Sequence, residues 1–451
     1  MANYLAVLRS NKLASHALTA SCCLLGAYAT SKVLRLALSS LLRPYLVPSD
    51  PSTCLNPPSR GEHDARRSLT YPAGVPNGWY QLCYVSDVPS SSPLEVRALG
   101  QVYAVWRDPL SGNIVAQDAF CLHLGANLAV GGKVTEDGCL RCPFHAWDFR
   151  PDGSVANVPY ISKDSVGNKC VTEKKLKTHA VKVFNGLVCV WFAADDSPPS
   201  FDLPQFITDE LRVGNWRSHL RWDIGFKTLS CVDWVDQAGD HSHFFTLHNV
   251  FLIPWTTSPI PKWISYFFPI GITHDLVTYR GDDKDWMERF SQPGVLNPNY
   301  AVSEKAYLYF TDVASLTWNG KRMESTKGHT LEMYCGPGLM IFHIPFNLGV
   351  VKVFVGTTPV EGGSIMRVST WVDEQTWRSP VKSFIAWLVS GVSASQLQSD
   401  IDILSNKIRL KKPILQPFDG PYNRVNAWLK QFYTAASANV GKATCSYKND
   451  W

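Results

Sequence analysis

Short runs of alternating apolar and polar residues, separated by turn residues, begin close to residue 78 of the chain. Five such runs predict strands, and Asn185-Gly186 between the last two is a hairpin signal. The runs are Tyr80–Val85, Gln101–Trp106, Ile114–Asp118, Val181–Phe184 and Leu187–Phe192. This pattern predicts a small all-β domain over residues 78–195.

Longer strand-like runs follow in residues 196–435, and the stretch Pro380–Leu410 then shows helical periodicity. The combination predicts an α+β domain in which a curved antiparallel sheet has helices on one side. Residues 436–451 form a C-terminal tail. The strand-like runs are Ala306–Ser315, Thr330–Tyr334, Leu339–Ile344, Val350–Thr357 and Ser364–Trp371.

The N-terminal region has a different pattern. Leu13–Ser31 is a 19-residue stretch without a charged side chain, close to the roughly 20 residues that cross a bilayer as a helix. We therefore expect residues 1–43 to be a transmembrane anchor; a cleaved signal or transit peptide and a soluble helix are the alternatives. Residues 44–77 contain seven prolines and are expected to form a linker.

Composition excludes some classes of protein. The net charge is +5, but residues 1–50 carry +4 of it, so the rest is nearly neutral and lacks the basic surface of a nucleic-acid binder. The 12 cysteines are scattered through 451 residues, unlike those of a small disulfide-linked scaffold. A reducing compartment is expected.

Two short motifs combine cysteine with histidine. Cys121-Leu-His123 and Cys142-Pro-Phe-His145 together supply two thiolates and two imidazoles, the ligand set of a Rieske 2Fe-2S cluster. A structural zinc site uses the same residue types, but zinc motifs usually pair cysteine with cysteine and histidine with histidine. The mixed spacing therefore favours the iron–sulfur cluster.

A second group of potential ligands lies downstream. Asp236, Asp240 and His243 would share one face of a helix, whereas His248 would lie about 140° away from His243. We therefore expect a π-bulge or a helix end between Phe244 and Leu247. Two histidines and one carboxylate form the facial triad of non-haem Fe(2+) oxygenases, with the third ligand coming from elsewhere in the chain.

Residues 121–132 and 142–149 resemble the motifs of Rieske non-haem iron oxygenases. Ala126 and Phe144 stand where respiratory Rieske proteins have an extra cysteine pair, which supports the oxygenase branch. Ala146 departs from the family, which most often has glycine there. The resemblance implies that Asp400 is the third iron ligand, with Asp402 as the alternative.

The same resemblance gives Asp240 a catalytic role, because the matching acid connects the iron site to a Rieske histidine of a neighbouring subunit. It thereby implies a homotrimer. Asp236 either supports Asp240 or lies on the helix surface. No nucleotide-binding fingerprint is evident in the sequence, so electrons from NAD(P)H are expected to arrive through a separate reductase.

The C-terminal half resembles the Neverland-type cholesterol 7-desaturases, in segments such as Gly336-Pro-Gly338, Thr358–Glu361, Asp400–Lys407 and Pro417–Tyr433. This resemblance implies a helix-grip (START-like) catalytic domain that uses O2 to convert cholesterol to 7-dehydrocholesterol for steroid hormone synthesis. It also implies an endoplasmic reticulum membrane protein with a cytosolic body.

Three alternatives compete with the interpretation as a sterol desaturase. They are a sterol hydroxylase with the same metals, a plastid-type ring oxygenase and a non-catalytic electron carrier. The aromatic segment 250–272 is expected either to line a sterol entrance or to form ordinary core.

Overall fold

The computed structural model describes residues 71–439, except residues 73, 162–172, 276–277, 282–305, 347 and 411. The predicted anchor and most of the linker and of the predicted tail lie outside the described residues. Among the helices in the described ranges, none combines the length and apolar character that a membrane span requires.

The first domain consists of antiparallel strands, and it contains the predicted hairpin. Asn185 and Gly186 turn between β10 and β11 with φ values of 49° and 80°, as a two-residue hairpin turn requires. Within the described residues the strand orders are β1-β11-β10, β2-β3-β4-β9 and β5-β6-β7-β8. The strands are β1 (Gly78–Tyr84), β2 (Leu94–Ala98), β3 (Gln101–Arg107), β4 (Ile114–Asp118), β5 (Lys133–Val134), β6 (Leu140–Arg141), β7 (Asp148–Phe149), β8 (Val155–Asn157), β9 (Thr178–His179), β10 (Val181–Phe184) and β11 (Leu187–Phe192).

The second domain is built on one antiparallel sheet with the order β12-β20-β19-β18-β17-β15-β13, and β14 and β16 also pair with β15. All five strands that the pattern predicts in this domain are confirmed, and β12, β13, β14 and β16 are additional. The strands are β12 (Arg217–Lys227), β13 (Ile270–His274), β14 (Thr278–Gly281), β15 (Tyr307–Trp318), β16 (Lys321–Arg322), β17 (Gly328–Cys335), β18 (Leu339–Phe346), β19 (Gly349–Val360) and β20 (Gly363–Val372).

The long C-terminal helix is shorter than predicted. It begins after Ser379, whose hydroxyl accepts a hydrogen bond from the Lys382 N–H, and it has Pro380 in its first turn. It ends at Leu404 rather than Leu410 because Lys407 and Arg409 turn away to pair with acids of another helix. The helices described are α1 (Gln205–Val213), α2 (Cys231–Gln237), α3 (Lys262–Phe267), α4 (Glu374–Trp377), α5 (Pro380–Leu404) and α6 (Tyr422–Lys430).

The two domains meet along β1. The carbonyl of Gln81 accepts hydrogen bonds from the Thr358 hydroxyl at 2.6 Å and from Arg367 at 3.2 Å. A Cβ on Gly338 would lie 2.4 Å from the carbonyl oxygen of Trp79, so this position requires glycine. The Gly336-Pro-Gly338 motif therefore serves close packing between the domains.

Candidate metal centres

The two Cys-His motifs fold into loops with the same hydrogen-bond pattern. In each, the cysteine carbonyl accepts from the N–H four residues later (Gly125 or Ala146), and the cysteine N–H donates to the carbonyl five residues later. Gly125 and Ala146 thus occupy equivalent positions, with φ values of 72° and 54°. This shared left-handed conformation is easy for glycine and strained for alanine.

Four potential ligand groups converge between these loops. The thiols of Cys121 and Cys142 are buried, and the imidazole rings of His123 and His145 lie 4.7 Å apart between centroids. Both Nδ1 atoms are buried, and neither has a hydrogen-bond partner in the part of the chain that the structure describes. Two buried thiols and two unpartnered ring nitrogens match the donor set of a Rieske cluster.

The two loops pack against aromatic side chains on one side and have an apolar, exposed rim on the other. Trp147 stacks on the His123 ring at 5.0 Å and donates a hydrogen bond to the Tyr160 hydroxyl at 2.8 Å. Burial raises the pKa of the Cys121 thiol to about 11, although the backbone N–H groups of His123 and Leu124 act in the opposite direction. The outer rim is apolar and exposed, and includes Leu122, Leu124 and Phe144.

The second candidate centre begins where α2 ends. Ser230 and Asp233 form a capping box at its start, and Gly239 follows its end with its backbone against Tyr422, where a Cβ would lie 2.6 Å from Tyr422 Cα. The expectation of one continuous helical face through His243 is therefore wrong. A separate 3-10 turn, Ser242–Phe245, carries His243 and ends in the interval expected from the sequence.

His243, His248 and Asp400 converge on one point, with one donor atom from each within 4.8 Å of the others. Asp400 Oδ1 lies 3.0 Å from His248 Nε2 and 4.0 Å from His243 Nε2. Asp402 points elsewhere, because it is exposed and accepts a hydrogen bond from Gln398 at 2.7 Å.

Neighbouring groups orient these side chains. The carbonyl of Asp240 accepts a short hydrogen bond from His243 Nδ1, which leaves Nε2 directed toward Asp400. Burial lowers the pKa of His243. Burial also disfavours a charged His248, but the Asp400 carboxylate outweighs it and raises the pKa of His248.

Asp236 differs from its expected role. It is buried, its carboxylate lies 2.8 Å from Arg409 Nε, and it accepts a hydrogen bond from the Tyr422 hydroxyl at 3.1 Å. A helix-surface position is thus wrong, and no described contact joins Asp236 to Asp240. The buried pair instead holds the segment after α5 and the start of α6 against α2.

Asp240 lies on the solvent side of the centre. Its side chain is 48% exposed, accepts a hydrogen bond from Ser242 at 3.0 Å and borders a cavity of about 350 Å³. His243 and Asp400 also line this cavity. The same cavity therefore borders Asp240 and two of the three residues of the candidate centre.

A larger cavity of about 490 Å³ lies on the other side of the same three residues, between the sheet and α5. Alternate residues of β15 and β18 face it, as expected for one side of a sheet. Residues of α5 face it at intervals of three or four, as expected for one side of a helix. The lining is mainly apolar and includes Phe310, Ala314, Leu316, Met340, Phe342, Ile344, Phe346, Val389, Val392 and Leu397.

The aromatic segment 250–272 divides between the two expected roles. Phe251 and Pro254 line the larger cavity, whereas Trp255 is core, with its backbone N–H bonded to the Gly391 carbonyl and its ring 5.2 Å from Trp222. Residues 266–268, all aromatic, are exposed. Part of the segment is therefore cavity wall and part is ordinary packing.

Three polar residues of the cavity were not predicted from the sequence. His274 Nδ1 lies 2.8 Å from the Asp312 carboxylate, and His274 Nε2 donates to the His248 carbonyl at 3.2 Å. Glu332 faces the same cavity. The available signal was a charged residue inside each of two otherwise apolar strand runs, Ala306–Ser315 and Thr330–Tyr334.

Comparison with known proteins agrees with this architecture. Residues 78–184 match the Rieske [2Fe-2S] domain, and residues 190–433, over half of the chain, match the 3-ketosteroid 9alpha-hydroxylase C-terminal domain. The chain belongs to the Rieske non-haem iron oxygenases. This Rieske oxygenase therefore carries a 2Fe-2S cluster and a mononuclear iron and takes electrons from a separate reductase.

Relatives of this Rieske oxygenase include "Cholesterol 7-desaturase nvd" of Xenopus laevis, 27% identical over 82% of this chain and 74% of the relative. "Cholesterol 7-desaturase" of Caenorhabditis elegans is 27% identical over 84% of this chain and 81% of the relative. The oxygenase component of 3-ketosteroid-9-alpha-monooxygenase from Rhodococcus rhodochrous is 25% identical over 80% of this chain and 82% of its own.

Among solved structures, dicamba monooxygenase bound to dicamba shares the fold of this Rieske oxygenase. The TM-score is 0.54 at 14% identity, over 80% of this chain and 98% of the other. At this identity the similarity shows the arrangement of an all-β Rieske domain and a mixed α/β catalytic domain.

Proposed function

We propose that this Rieske oxygenase desaturates a sterol, converting cholesterol to 7-dehydrocholesterol in steroid hormone synthesis. The main supporting observation is the apolar cavity of about 490 Å³ that reaches His243, His248 and Asp400. Its volume and lining suit one rigid, apolar small molecule. The printed names of the animal relatives support the same reaction.

The residues divide into two ligand sets in this proposal. Cys121, His123, Cys142 and His145 hold the cluster, and His243, His248 and Asp400 hold the iron. Their donor types support these assignments. When bound, the two centres supply single electrons and activate dioxygen. The chain itself orients His243 through the Asp240 carbonyl and surrounds the substrate with apolar side chains that exclude water.

The overall reaction balances with NAD(P)H as the electron source. Cholesterol, O2, NAD(P)H and a proton give 7-dehydrocholesterol, NAD(P)+ and two waters. Two hydrogens leave carbons 7 and 8, and the separate reductase delivers the two electrons taken from NAD(P)H.

Asp240 connects subunits in this proposal, in a homotrimer. It is half-exposed beside His243, and exposed Ile403 and Ile408 border the same cavity. The rim of the cluster loops is also apolar and exposed. One apolar surface of each kind on every subunit supports a head-to-tail ring, in which the Rieske loops of one subunit face Asp240 of the next.

The proposal also covers the fold of the second domain and the cellular location of the protein. The packing of α5 against the cavity side of the sheet supports a helix-grip domain. The uncharged stretch Leu13–Ser31 and a membrane-soluble substrate support an N-terminal anchor in the endoplasmic reticulum with the body in the cytosol.

Steroid hydroxylation is the second candidate, favoured by the matched C-terminal domain and by the name of the Rhodococcus relative. Incubation of the purified protein with reductase, NAD(P)H, cholesterol and ¹⁸O2 separates the two. Desaturation predicts 7-dehydrocholesterol with no label in the sterol, whereas hydroxylation would give a labelled alcohol. A reaction without reductase is the control.

A further inference from the structure

Glu332 is a buried acid that the proposed iron ligation does not use. It lies on β17 opposite Phe310 and Phe342, and all three side chains line the large cavity. It is 9% exposed, and its carboxyl group, which has no hydrogen bond or ion pair within the described residues, keeps contact with the open space of the cavity. Burial, followed by the charges of Asp312 and Asp400, raises its pKa to about 8.

Two polar neighbours in the cavity lining are already engaged. Asp312 is paired with His274, and the second ring nitrogen of His274 is bonded to the carbonyl of His248. Burying a polar group without a partner has a free-energy cost, so such groups normally find one. Because Glu332 faces the cavity, a ligand bound there can supply such a partner.

The cavity is polar at one end and apolar toward the other. Along β15 its wall runs from Asp312 through Ala314 to Leu316, and the strand ends at the exposed Trp318. Glu332 shares the Asp312 end with Asp400, whose charge acts on it. A sterol has the same polarity, with one hydroxyl on ring A and an apolar remainder.

We propose that the carboxyl group of Glu332 binds the ring-A hydroxyl of the steroid substrate. The steroid then enters hydroxyl first, and its side chain points toward Leu316. Because carbon 7 belongs to ring B, adjacent to ring A, this orientation brings the reacting region to the end of the cavity that holds Asp400. The proposal rests on the proposed function in one respect, that the substrate is a steroid.

A pair of ligands that differ only in the hydroxyl tests this contact. Cholesterol and cholest-5-ene are each used to displace the fluorescent sterol dehydroergosterol from the purified enzyme. A hydrogen bond to a buried acid contributes about 1–3 kcal/mol. Wild type is therefore expected to prefer cholesterol by about fivefold or more.

The variants assign the preference to the side chain. Glu332→Leu should bind the two ligands within about twofold of each other, and Glu332→Gln should keep most of the preference because its amide still hydrogen-bonds. Glu324→Leu, at an exposed glutamate outside the cavity lining, is the matched control and should behave as wild type.

An unchanged preference in Glu332→Leu would overturn the proposal, even if turnover fell, and would leave the proposed function standing. Failure of wild type to bind either ligand would instead overturn the proposed function and this proposal together.

Discussion

At position 146 the backbone conformation, rather than a contact of the side chain, determines which residue fits well. Ala146 has φ = 54° beside the proposed ligand His145, in the position that Gly125 takes in the other loop. The sequence shows only that alanine stands where the family usually has glycine. The structure adds the reason for that preference, which is a left-handed conformation that side chains disfavour.

Substitutions at Ala146 test this strain. Ala146→Gly should leave the free energy of unfolding nearly unchanged, because relief of strain offsets the greater flexibility of the unfolded chain. Ala146→Val should lower it by about 1–2 kcal/mol, since a branched side chain fits this conformation poorly. Thermal unfolding followed by cluster absorbance measures both. Equal stability of all three proteins would contradict the assignment.

A buried cluster of ionisable side chains lies on the sheet face away from the cavity. Lys352 is fully buried, with Nζ 3.1 Å from Glu210 and 2.8 Å from His343 Nδ1. Burial and the Lys352 charge together hold the pKa of His343 well below its usual value. Its imidazole therefore accepts from the ammonium group as a neutral ring.

His343 is expected to contribute a loss of stability in acid, whereas Glu210, whose burial raises its pKa, contributes with the opposite sign. A folded-state pKa below the unfolded value of about 6.5 means that the unfolded chain takes up a proton first, so stability present above that pH is lost as pH falls. The expected loss is about 1 kcal/mol between pH 6.5 and 5.5. His343→Asn, whose amide oxygen still accepts from Lys352, should lack it.

Urea unfolding at both pH values measures this difference. His329→Asn, on the exposed part of β17, is the control and should follow wild type. Identical pH dependence in His343→Asn and wild type would refute the neutral buried imidazole.

At the scale of elements, the break after α2 sets the position of His243. Helical periodicity predicted one continuous face for Asp236 and His243, but periodicity does not register that the Gly239 backbone lies against Tyr422 from a distant part of the chain. The C-terminal segment also contacts this break, because the His241 N–H donates to the Asp419 carbonyl. The periodicity of neighbouring residues cannot predict a contact between segments that are distant in sequence.

Gly239→Ala tests this contact. The added methyl group would meet the Tyr422 backbone, so we expect displacement of the turn that carries His243 and a free-energy cost of about 1–3 kcal/mol. Iron content should fall toward two per chain, with the cluster's visible spectrum retained.

The control is Gly320→Ala, at a hairpin glycine with φ = 74° and open space around it. It should lose a similar amount of stability through backbone strain and keep its full iron content. Full iron content in Gly239→Ala would contradict the role assigned to this packing.

At the scale of the whole molecule, the domain order and the two groups of potential ligands could be predicted from short motifs, because ligand chemistry limits residue type and spacing, whereas Asp400 was implied by the family resemblance. The cavity and its polar end could not. Three different strands contribute Glu332, Asp312 and His274. Only the pairing of these strands in the sheet brings the three side chains to one wall of the cavity.

The proposed head-to-tail trimer predicts complementation between two inactive variants. Cys121→Ser should lack the cluster and His243→Ala should lack iron, so each alone should be inactive. In randomly mixed oligomers roughly a quarter of wild-type activity should return, because some intact clusters then face intact iron sites. The control is the same pair mixed without subunit exchange. No recovery after exchange would contradict electron transfer between subunits.

Sterol analysis of wild type and His248→Ala, each supplied with reductase and cholesterol, is the decisive measurement. It tests whether a sterol is oxidised at the site formed by His243, His248 and Asp400. Electron paramagnetic resonance of the same samples reports the reduced cluster. We expect 7-dehydrocholesterol from wild type only, with an equal cluster signal in both proteins. Equal product from the variant, or unaltered sterol from a wild type with a fully reduced cluster and bound iron, would contradict it.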